Sequence, residues 1–378
     1  MKVLLIVRNV LHPHDGPSSA SYNTIKGLKT FQKVLEKNEI SIDILSLDTT
    51  DNRSVDVSEL ESPNLNIINV KSIPLEAVFG EIYCVKMYSN KLHNTHNLVH
   101  SHVPFGAFFG IFNRLPTLLT VHGMVWKERK HITNKYAKVA YGYGNTFRIR
   151  KYADKVSKLI ALSPYAKEEF ISLGVDPDKI AIIENPISEE FFKVKKNEEN
   201  IILYPANIIP LKNQLGFLRA VKLVENEVRD FKIIFAGSGD SNYIRILKDF
   251  VRRNEIRNVK FLGRVRYKQM LTLYSNASIT VLLSFQETLP MVILEAMATG
   301  TPTLVSKILP NRYIVTPNKT GVLADPNNPE NIAEKLRILI DDKKLRQKLG
   351  KNAKKEAEKR WKSKVIARKL LDLYLTFT

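Results

Sequence analysis

ETLPMVILEAMATGTP, residues 287 to 302, places two acids around the start of an apolar helical run. Glu287 comes just before Leu289-Pro290, and Glu295 follows Glu287 by eight residues. Proline suits the first turn of a helix, because its missing N–H would be unpaired there in any case. The stretch therefore predicts a helix that begins near Pro290, with one acid before it and one inside it.

The amino end of this helix is a predicted anion site. The free amides around Met291 and Val292, together with the helix dipole, favour phosphate. Glu287 in the preceding loop can accept hydrogen bonds from hydroxyls, and Glu295 can accept a pair from a vicinal diol such as ribose. For either acid alone, a solvated surface carboxylate is the better explanation. Together they describe a site for a nucleotide sugar.

Strand-like runs alternate with helical patterns on both sides of this stretch. Strand then helix, repeated, predicts a parallel sheet covered on both faces. The alternation restarts after residues 185–200, a charge-dense segment with Pro186 that we interpret as a linker. Two Rossmann-like α/β domains in tandem are therefore predicted. The predicted strands cover residues 2–7, 41–47, 65–70, 97–103, 117–121, 158–163, 179–183, 200–207, 231–240, 259–263, 278–284 and 301–306.

Composition narrows the classes of partner. The 378 residues carry 58 Lys and Arg against 38 Asp and Glu, a net charge of +20 that favours a polyanionic surface or a phosphate-bearing ligand. No helix-turn-helix, RNP or zinc pattern supports nucleic acid as the partner. The single cysteine, Cys84, excludes an intramolecular disulfide and fits a cytoplasmic protein. No apolar stretch is long enough to predict a membrane span.

At this point a family resemblance can be stated. SFQETLPMVILEAMATGTP resembles the E-x7-E signature of the family-4 retaining glycosyltransferases (glycosyl transferase group 1). The resemblance implies the GT-B fold, in which two Rossmann-like domains face each other across a cleft and C-terminal helices cross back to the first domain. Further segments resemble family motifs in the family's order: LLTVHGM (118–124), residues 160–187, YPANIIPLKNQ (204–214), FAGSGD (235–240) and FLGRV (261–265).

The resemblance implies domains at residues 1–190, joined by the last helix at about 360–378, and at residues 191–359. It implies transfer of a sugar from a UDP- or GDP-sugar to an acceptor hydroxyl with retention, without a metal or a cofactor. Lys212 would neutralise the diphosphate, and His122 would contact the transferred sugar. The implied catalytic residues are His122, Glu287 and Lys212, and the implied donor-binding residues are Gly16, Asn207, Lys212, Gly237, Gly239, Gly263, Leu289, Pro290, Met291, Val292 and Glu295.

The chain departs from the family pattern at its phosphate clamp. Asn207 stands where the clamp carries an arginine, and a neutral amide cannot replace a guanidinium on a diphosphate. Either Arg264, Arg266 or Arg312 supplies that charge, or donor affinity is reduced. Two milder departures are Leu289-Pro290 in place of Phe-Gly and Gly16-Pro17 in place of Gly-Gly.

Residues 126–155 form a basic segment that contains Trp126, Tyr136, Tyr141, Tyr143 and Phe147. Rings interleaved with Lys and Arg suit an anionic membrane surface. One hypothesis is therefore an acceptor that is lipid-linked, or a cell-surface glycan precursor, with the enzyme peripheral on the inner face of the membrane. Packing of these rings on the sheet explains the pattern equally well.

Three other polar patterns receive structural interpretations. Asp176-Pro177-Asp178 is predicted to be a turn and not a metal site. His100 and His102 are predicted to line the carboxyl end of a strand, where doubly wound sheets bind ligands. His12 and His14 lie in one predicted loop. They are equally well explained as residues near the ligand and as surface loop residues without a role in binding.

Two other functions stay open on the sequence alone. A nucleotide-sugar epimerase can share the GT-B architecture, although the E-x7-E arrangement argues against it. A basic, non-enzymatic polyanion-binding protein would also account for the charge of +20.

Overall fold

The computed structural model describes residues 1–11, 13, 15–48, 56–71, 95–128 and 143–378. Contacts divide the chain into two units. Unit 1 comprises Met1–Pro186 and Ser363–Thr378, and unit 2 comprises Ile187–Lys362. None of the helices in the described ranges combines the length and apolar composition that a membrane span needs.

The described part of unit 1 contains a seven-stranded parallel sheet with the order β3-β2-β1-β4-β5-β6-β7. Val3 in the central strand β1 lies between Ile42 of β2 and Leu98 of β4. The inner residues of β1 are fully buried, as expected for a strand covered on both faces. The strands are β1 (Lys2–Arg8), β2 (Ser41–Asp48), β3 (Leu65–Lys71), β4 (Leu98–Ser101), β5 (Thr117–Thr120), β6 (Lys158–Ala161) and β7 (Ile180–Ile182).

The first helix of unit 1 begins at a recognisable cap. Asp15 caps the first helix by accepting a hydrogen bond from the Ser18 amide at 2.8 Å, and Pro17 lies in the first turn. The last helix of the chain packs on this first helix and so belongs to unit 1. The helices are α1 (Gly16–Lys29), α2 (Gln32–Lys37), α3 (Ala107–Phe112), α4 (Val125–Glu128), α5 (Gly144–Ala153), α6 (Pro164–Ser172) and, after unit 2, α16 (Ser363–Leu375).

Unit 2 contains a six-stranded parallel sheet with the order β10-β9-β8-β11-β12-β13. The short strand β13 is absent from the sequence prediction, because three residues are too few to show a pattern. The strands are β8 (Glu199–Pro205), β9 (Lys232–Ala236), β10 (Val259–Gly263), β11 (Ala277–Leu282), β12 (Thr303–Ser306) and β13 (Val322–Ala324).

The helices of unit 2 show that the predicted linker is partly wrong. Residues 189–193 form a short helix whose Phe191 and Phe192 are buried, and the Phe191 ring packs edge-on against Tyr274 at 5.8 Å. Contacts therefore place the first boundary after Pro186, not after residue 190. The helices are α7 (Glu189–Lys193), α8 (Gln214–Leu223), α9 (Glu225–Val228), α10 (Ser241–Arg253), α11 (Tyr267–Asn276), α12 (Met291–Thr299), α13 (Leu309–Ile314), α14 (Pro329–Asp341) and α15 (Lys343–Arg360).

Both sheets have a point at which the strand order reverses. In unit 1 this point lies between β1 and β4, and in unit 2 between β8 and β11. Open α/β sheets bind ligands outside the carboxyl ends of the strands at such a point. The loops that follow β8 and β11 are therefore where a ligand of unit 2 is expected.

Candidate functional site

Lys212 and Glu287 come together at the switch point of unit 2. Lys212 ends a single 3-10 turn in the loop after β8, and Glu287 lies in the loop after β11. The Lys212 Nζ donates to Glu287 Oε1 at 2.6 Å. The two side chains are 20% and 9% exposed, so the pair is largely withdrawn from water. An ammonium and a carboxylate thus lie side by side at the predicted ligand position.

Backbone contacts fix the two loops to each other. The Tyr204 hydroxyl donates to the carbonyl of Lys212 and accepts from the Leu283 amide. The Phe285 amide donates to the Leu211 carbonyl at 3.0 Å. The position of Lys212 therefore depends on two loops and not on its own side chain alone.

The helix predicted from residues 287 to 302 begins where expected. Pro290 is the N-cap of α12 and Met291 is its first residue. The amides of Met291 and Val292 have no acceptor inside the helix, because the first turn leaves its N–H groups unpaired. The buried Ser284 Oγ and Thr288 Oγ1 have no hydrogen-bond partner among the described residues. These two hydroxyls, which the sequence analysis missed, add polar groups that suit a ligand.

Glu295 lies in the second turn of α12 and has a protein partner. The Tyr274 hydroxyl donates to its Oε2 at 2.9 Å. Burial raises the pKa of the Glu295 carboxyl to about 7, although the hydrogen bond from Tyr274 opposes the shift. Tyr274 was not predicted as a site residue, because no local pattern links residues of α11 and α12.

We expect the Glu295→Gln variant to become more stable than wild type, by a growing margin, as pH rises. A folded-state pKa of about 7 lies above the ordinary value of 4.5, so the carboxyl lowers the free energy of unfolding as pH rises from about 5 to 8. Glutamine does not titrate, and its amide oxygen can still accept from Tyr274. The difference in unfolding free energy between Glu295→Gln and wild type should grow by about 1–2 kcal/mol over that range, with allowance for partial solvent exposure.

Denaturant unfolding at pH 5 and pH 8 measures this difference. The matched control is Glu255→Gln, because Glu255 is an exposed glutamate in the same unit. A Glu295→Gln difference that does not change with pH would contradict the raised pKa.

The glycine loop after β9 lies against the loop after β8. The Ile208 amide donates to the Ser238 carbonyl at 2.8 Å, and the Asp240 amide donates to the Ile208 carbonyl at 3.0 Å. A Cβ on Gly237 would lie 2.1 Å from the Ala206 carbonyl oxygen, and one on Gly239 would lie 2.0 Å from that of Ile208. Both glycines therefore permit a close approach of two backbones.

The remaining predicted donor residues surround these loops. Asn207 is exposed, and its carbonyl accepts from Gln214 Nε2 at 2.9 Å. Gly263 ends β10 with a φ of 67°, and Leu289 is buried just before α12. Arg264, Arg266 and Arg312, the three candidates for the missing clamp charge, are all exposed. The source of that charge stays a prediction.

Unit 1 holds a histidine cluster at the carboxyl ends of β4 and β5. His122 Nε2 lies 3.0 Å from His102 Nδ1, and the rings of His100 and His102 are 4.7 Å apart. Burial lowers the pKa of His122 to about 4, although Asp15 and Asn185 oppose the shift, and burial also lowers the pKa of His102. The imidazoles are therefore neutral near pH 7.

One prediction on this cluster needs adjustment. His102 follows the end of β4 as predicted, but His100 lies inside β4, is 1% exposed, and is not a lining residue. Gly16 is the first residue of α1, directly after the Asp15 cap, and its part in donor binding stays a prediction. His12 and His14 lie outside the described residues.

Two other sequence patterns have structural explanations. Asp176 caps a single 3-10 turn by accepting from the Asp178 amide at 2.9 Å, which confirms the predicted turn. Trp126 is partly buried and packs against Phe170 at 5.6 Å beside a core cluster, which supports the packing explanation for this ring. Tyr143 and Phe147 are 51% and 64% exposed. Tyr136 and Tyr141 lie outside the described residues.

Comparison with known proteins supports the glycosyltransferase resemblance. The model of the glycosyl transferases group 1 matches residues 186–356, and that of Glycosyltransferase Family 4 matches residues 33–191. The two matches together cover residues 33–356, so the chain resembles the group 1 and Family 4 glycosyltransferases over most of its length. An uncharacterized glycosyltransferase of Methanocaldococcus jannaschii is 26% identical over 367 residues, which cover 94% of this chain and 95% of that protein.

Solved structures share the fold of this chain. This glycosyltransferase matches sucrose-phosphate synthase from Thermosynechococcus elongatus with a TM-score of 0.79 and 18% identity, over 99% of this chain and 98% of that one. It matches Anabaena HepE in complex with UDP and glucose with a TM-score of 0.75 and 18% identity, over 99% of each chain. The predicted GT-B fold is confirmed.

Proposed function

We propose that this glycosyltransferase moves a sugar from a nucleoside diphosphate sugar to an acceptor hydroxyl, with retention of anomeric configuration. The observation that carries the proposal is the Lys212–Glu287 pair, 2.6 Å apart, beside the amino end of α12. A cation, a carboxylate and free helix amides at one strand switch point match the charges and hydroxyls of such a donor.

Each group has a separate task in this proposal. An ammonium has three N–H groups, so Lys212 can hold Glu287 and a phosphate oxygen at once. The Met291 and Val292 amides bind the phosphate nearer the sugar, and Glu287 accepts from sugar hydroxyls. Catalysis then comes from orientation of the donor and from neutralisation of the departing diphosphate by Lys212, without a metal ion.

Uridine is the first base to test. Anabaena HepE, which has the same fold, has been solved in complexes with UDP and with UDP-glucose. Glu295 supports this donor class, because one of its oxygens is held by Tyr274 and the other can accept from a ribose hydroxyl. We therefore propose a UDP-sugar as the donor, with GDP-sugars as the comparison.

An aromatic patch in unit 1 supports an acceptor at an anionic membrane surface. The patch consists of Phe108 and Phe112 on α3 and Phe147 and Lys151 on α5, and the two parts meet at Tyr152, whose ring lies 6.2 Å from the Phe108 ring and 5.7 Å from the Lys151 Nζ. Phe112 and Phe147 are 60% and 64% exposed, and the Phe108 and Phe112 rings are 5.7 Å apart. The Lys151 Nζ lies 5.9 Å from the centre of the Phe147 ring. Exposed rings beside a cation suit the headgroup region of an acidic bilayer.

Release of nucleoside diphosphate from a panel of UDP- and GDP-sugars tests the donor part. We expect turnover of one donor by wild type, stimulation by a membrane-lipid extract, and loss of turnover in Glu287→Ala. The double variant Phe112→Ser/Phe147→Ser should sediment with phosphatidylglycerol vesicles at least about tenfold less, because it lacks the two exposed rings that would enter the bilayer. It should release nucleoside diphosphate normally without lipid.

The control for the patch is Leu223→Ser/Ile246→Ser, which removes two side chains of unit 2 that are 51% and 50% exposed. Equal sedimentation of the two double variants would contradict the membrane surface. Failure of the wild type to bind any nucleotide sugar would contradict the transferase itself.

A further inference from the structure

Ser21, His102 and His122 form a hydrogen-bonded row inside unit 1. The Ser21 Oγ lies 2.9 Å from His102 Nδ1, which also lies 3.0 Å from His122 Nε2. Ser21 is 2% exposed and sits on α1, whereas the two histidines follow β4 and β5. Three separate elements therefore contribute to one polar row.

The partners of the row assign its protons. Ser21 Oγ donates to the Pro17 carbonyl at 3.0 Å, because a carbonyl oxygen can only accept. The serine oxygen then accepts from His102 Nδ1–H. Burial keeps both imidazoles neutral, so each ring carries one proton. His102 Nε2 is consequently unprotonated.

The same reasoning fixes the proton on His122. Its Nε2 faces the N–H of His102 Nδ1 and must therefore accept a share of that proton. The single proton of His122 is then on Nδ1. Among the described residues, neither His122 Nδ1 nor His102 Nε2, both buried atoms, has a partner at hydrogen-bond distance and angle, although the Asn185 side chain lies close enough to His122 to oppose the fall in its pKa that burial causes. The row ends in one unpaired donor and one unpaired acceptor.

A second layer holds the His102 ring in place. His100 packs against it at 4.7 Å, and His100 is itself held by the Tyr374 hydroxyl at 2.7 Å and by Thr120 Oγ1 at 2.8 Å. Tyr374 belongs to α16, so the last helix of the chain supports the row. This packing opposes a flip of the His102 ring that would exchange its two nitrogens.

We propose that His102 is a positioning residue that holds His122, which the family resemblance already places against the transferred sugar, as the Nδ1–H tautomer, and that His102 Nε2 adds an acceptor for a substrate hydroxyl. The proposal rests on the proposed transferase function for the identity of the ligand. A buried donor and acceptor left unpaired by the protein are costly unless a ligand or water pairs with them. Sugar hydroxyls, which both donate and accept, are the matching chemistry.

Nitrogen-15 NMR of histidine-labelled protein without substrate tests the tautomer directly, with His122→Asn to assign the signals. We expect His122 to appear as the Nδ1–H form in wild type. His102→Asn should preserve that form, since the asparagine amide places an N–H near the former Nδ1. His102→Phe removes the N–H, and we expect the Nε2–H form to become populated.

Donor turnover supplies the second readout. We expect kcat/KM to fall about tenfold in His102→Phe, because this variant loses one or two hydrogen bonds. In His102→Asn, which retains an N–H, we expect kcat/KM to fall less than about threefold. An Nε2–H tautomer in wild type would overturn the proposal, and that spectrum suffices if His102→Phe does not fold. Unchanged kcat/KM in a folded His102→Phe would overturn the substrate role. Because the tautomer is measured without substrate, it is independent of any failure of the transferase assignment.

Discussion

Replacing Lys212 with alanine is expected to lower kcat for nucleoside diphosphate release by about 100- to 1000-fold, the usual cost of removing one preorganised group from a developing charge. The Lys212 ammonium is 20% exposed and is held beside the start of α12 by Glu287. A charge in such a site stabilises the departing diphosphate more than a solvated one would. Single-turnover rates at saturating donor measure the effect.

The same change should also reduce stability. Glu287 is 9% exposed and would lose its ion-pair partner, which we expect to lower the free energy of unfolding by about 2 kcal/mol. Lys222→Ala is the matched control, because Lys222 forms an exposed pair with Glu225 at the same distance of 2.6 Å. That variant should keep kcat and lose less than about 1 kcal/mol. A kcat for Lys212→Ala within threefold of wild type would contradict the assigned role.

Local patterns in the sequence are sufficient for most of the fold. The strands β1, β8 and β11 are apolar runs that stand out from their helical neighbours, and each lies within one or two residues of its predicted bounds. The helix α12 was predicted from Pro290 and the apolar run behind it. These features depend on neighbours in sequence, where periodicity carries the information. Phe191 and Phe192 were missed because charged residues surround them.

The site depends on contacts that no local pattern contains. Lys212 and Glu287 are 75 residues apart, and Ser21 and His102 are 81 residues apart. Each pair meets because the strand order places β8 beside β11 and β1 beside β4, which brings together the segments that follow those strands. The family resemblance supplied roles for Lys212 and Glu287. It did not supply Tyr274, Ser284 or the proton assignment of His102, which follow only from distances and burial.

Replacing Gly239 with alanine is expected to lower the free energy of unfolding by about 3 kcal/mol and to raise KM for the donor. The new Cβ would lie 2.0 Å from the Ile208 carbonyl oxygen and 2.6 Å from its carbon. Both atoms are backbone, so no side-chain rotation relieves the overlap. The loop after β8 must move, and that loop carries Lys212. Denaturant unfolding and donor titration measure the two effects.

Gly300→Ala separates this close approach from the general cost of replacing a glycine. Gly300 lies in the same unit with a φ of 75°, and a Cβ there would come no closer than 3.6 Å to another heavy atom. We expect Gly300→Ala to lower the free energy of unfolding by about 1 kcal/mol, because alanine is disfavoured in the left-handed backbone conformation, and to leave the KM for the donor unchanged. Equal losses of stability in the two variants would mean that the loops after β8 and β9 can separate freely. A larger loss in Gly239→Ala, together with weaker donor binding, would instead show that this backbone contact holds the Lys212 loop in its binding position.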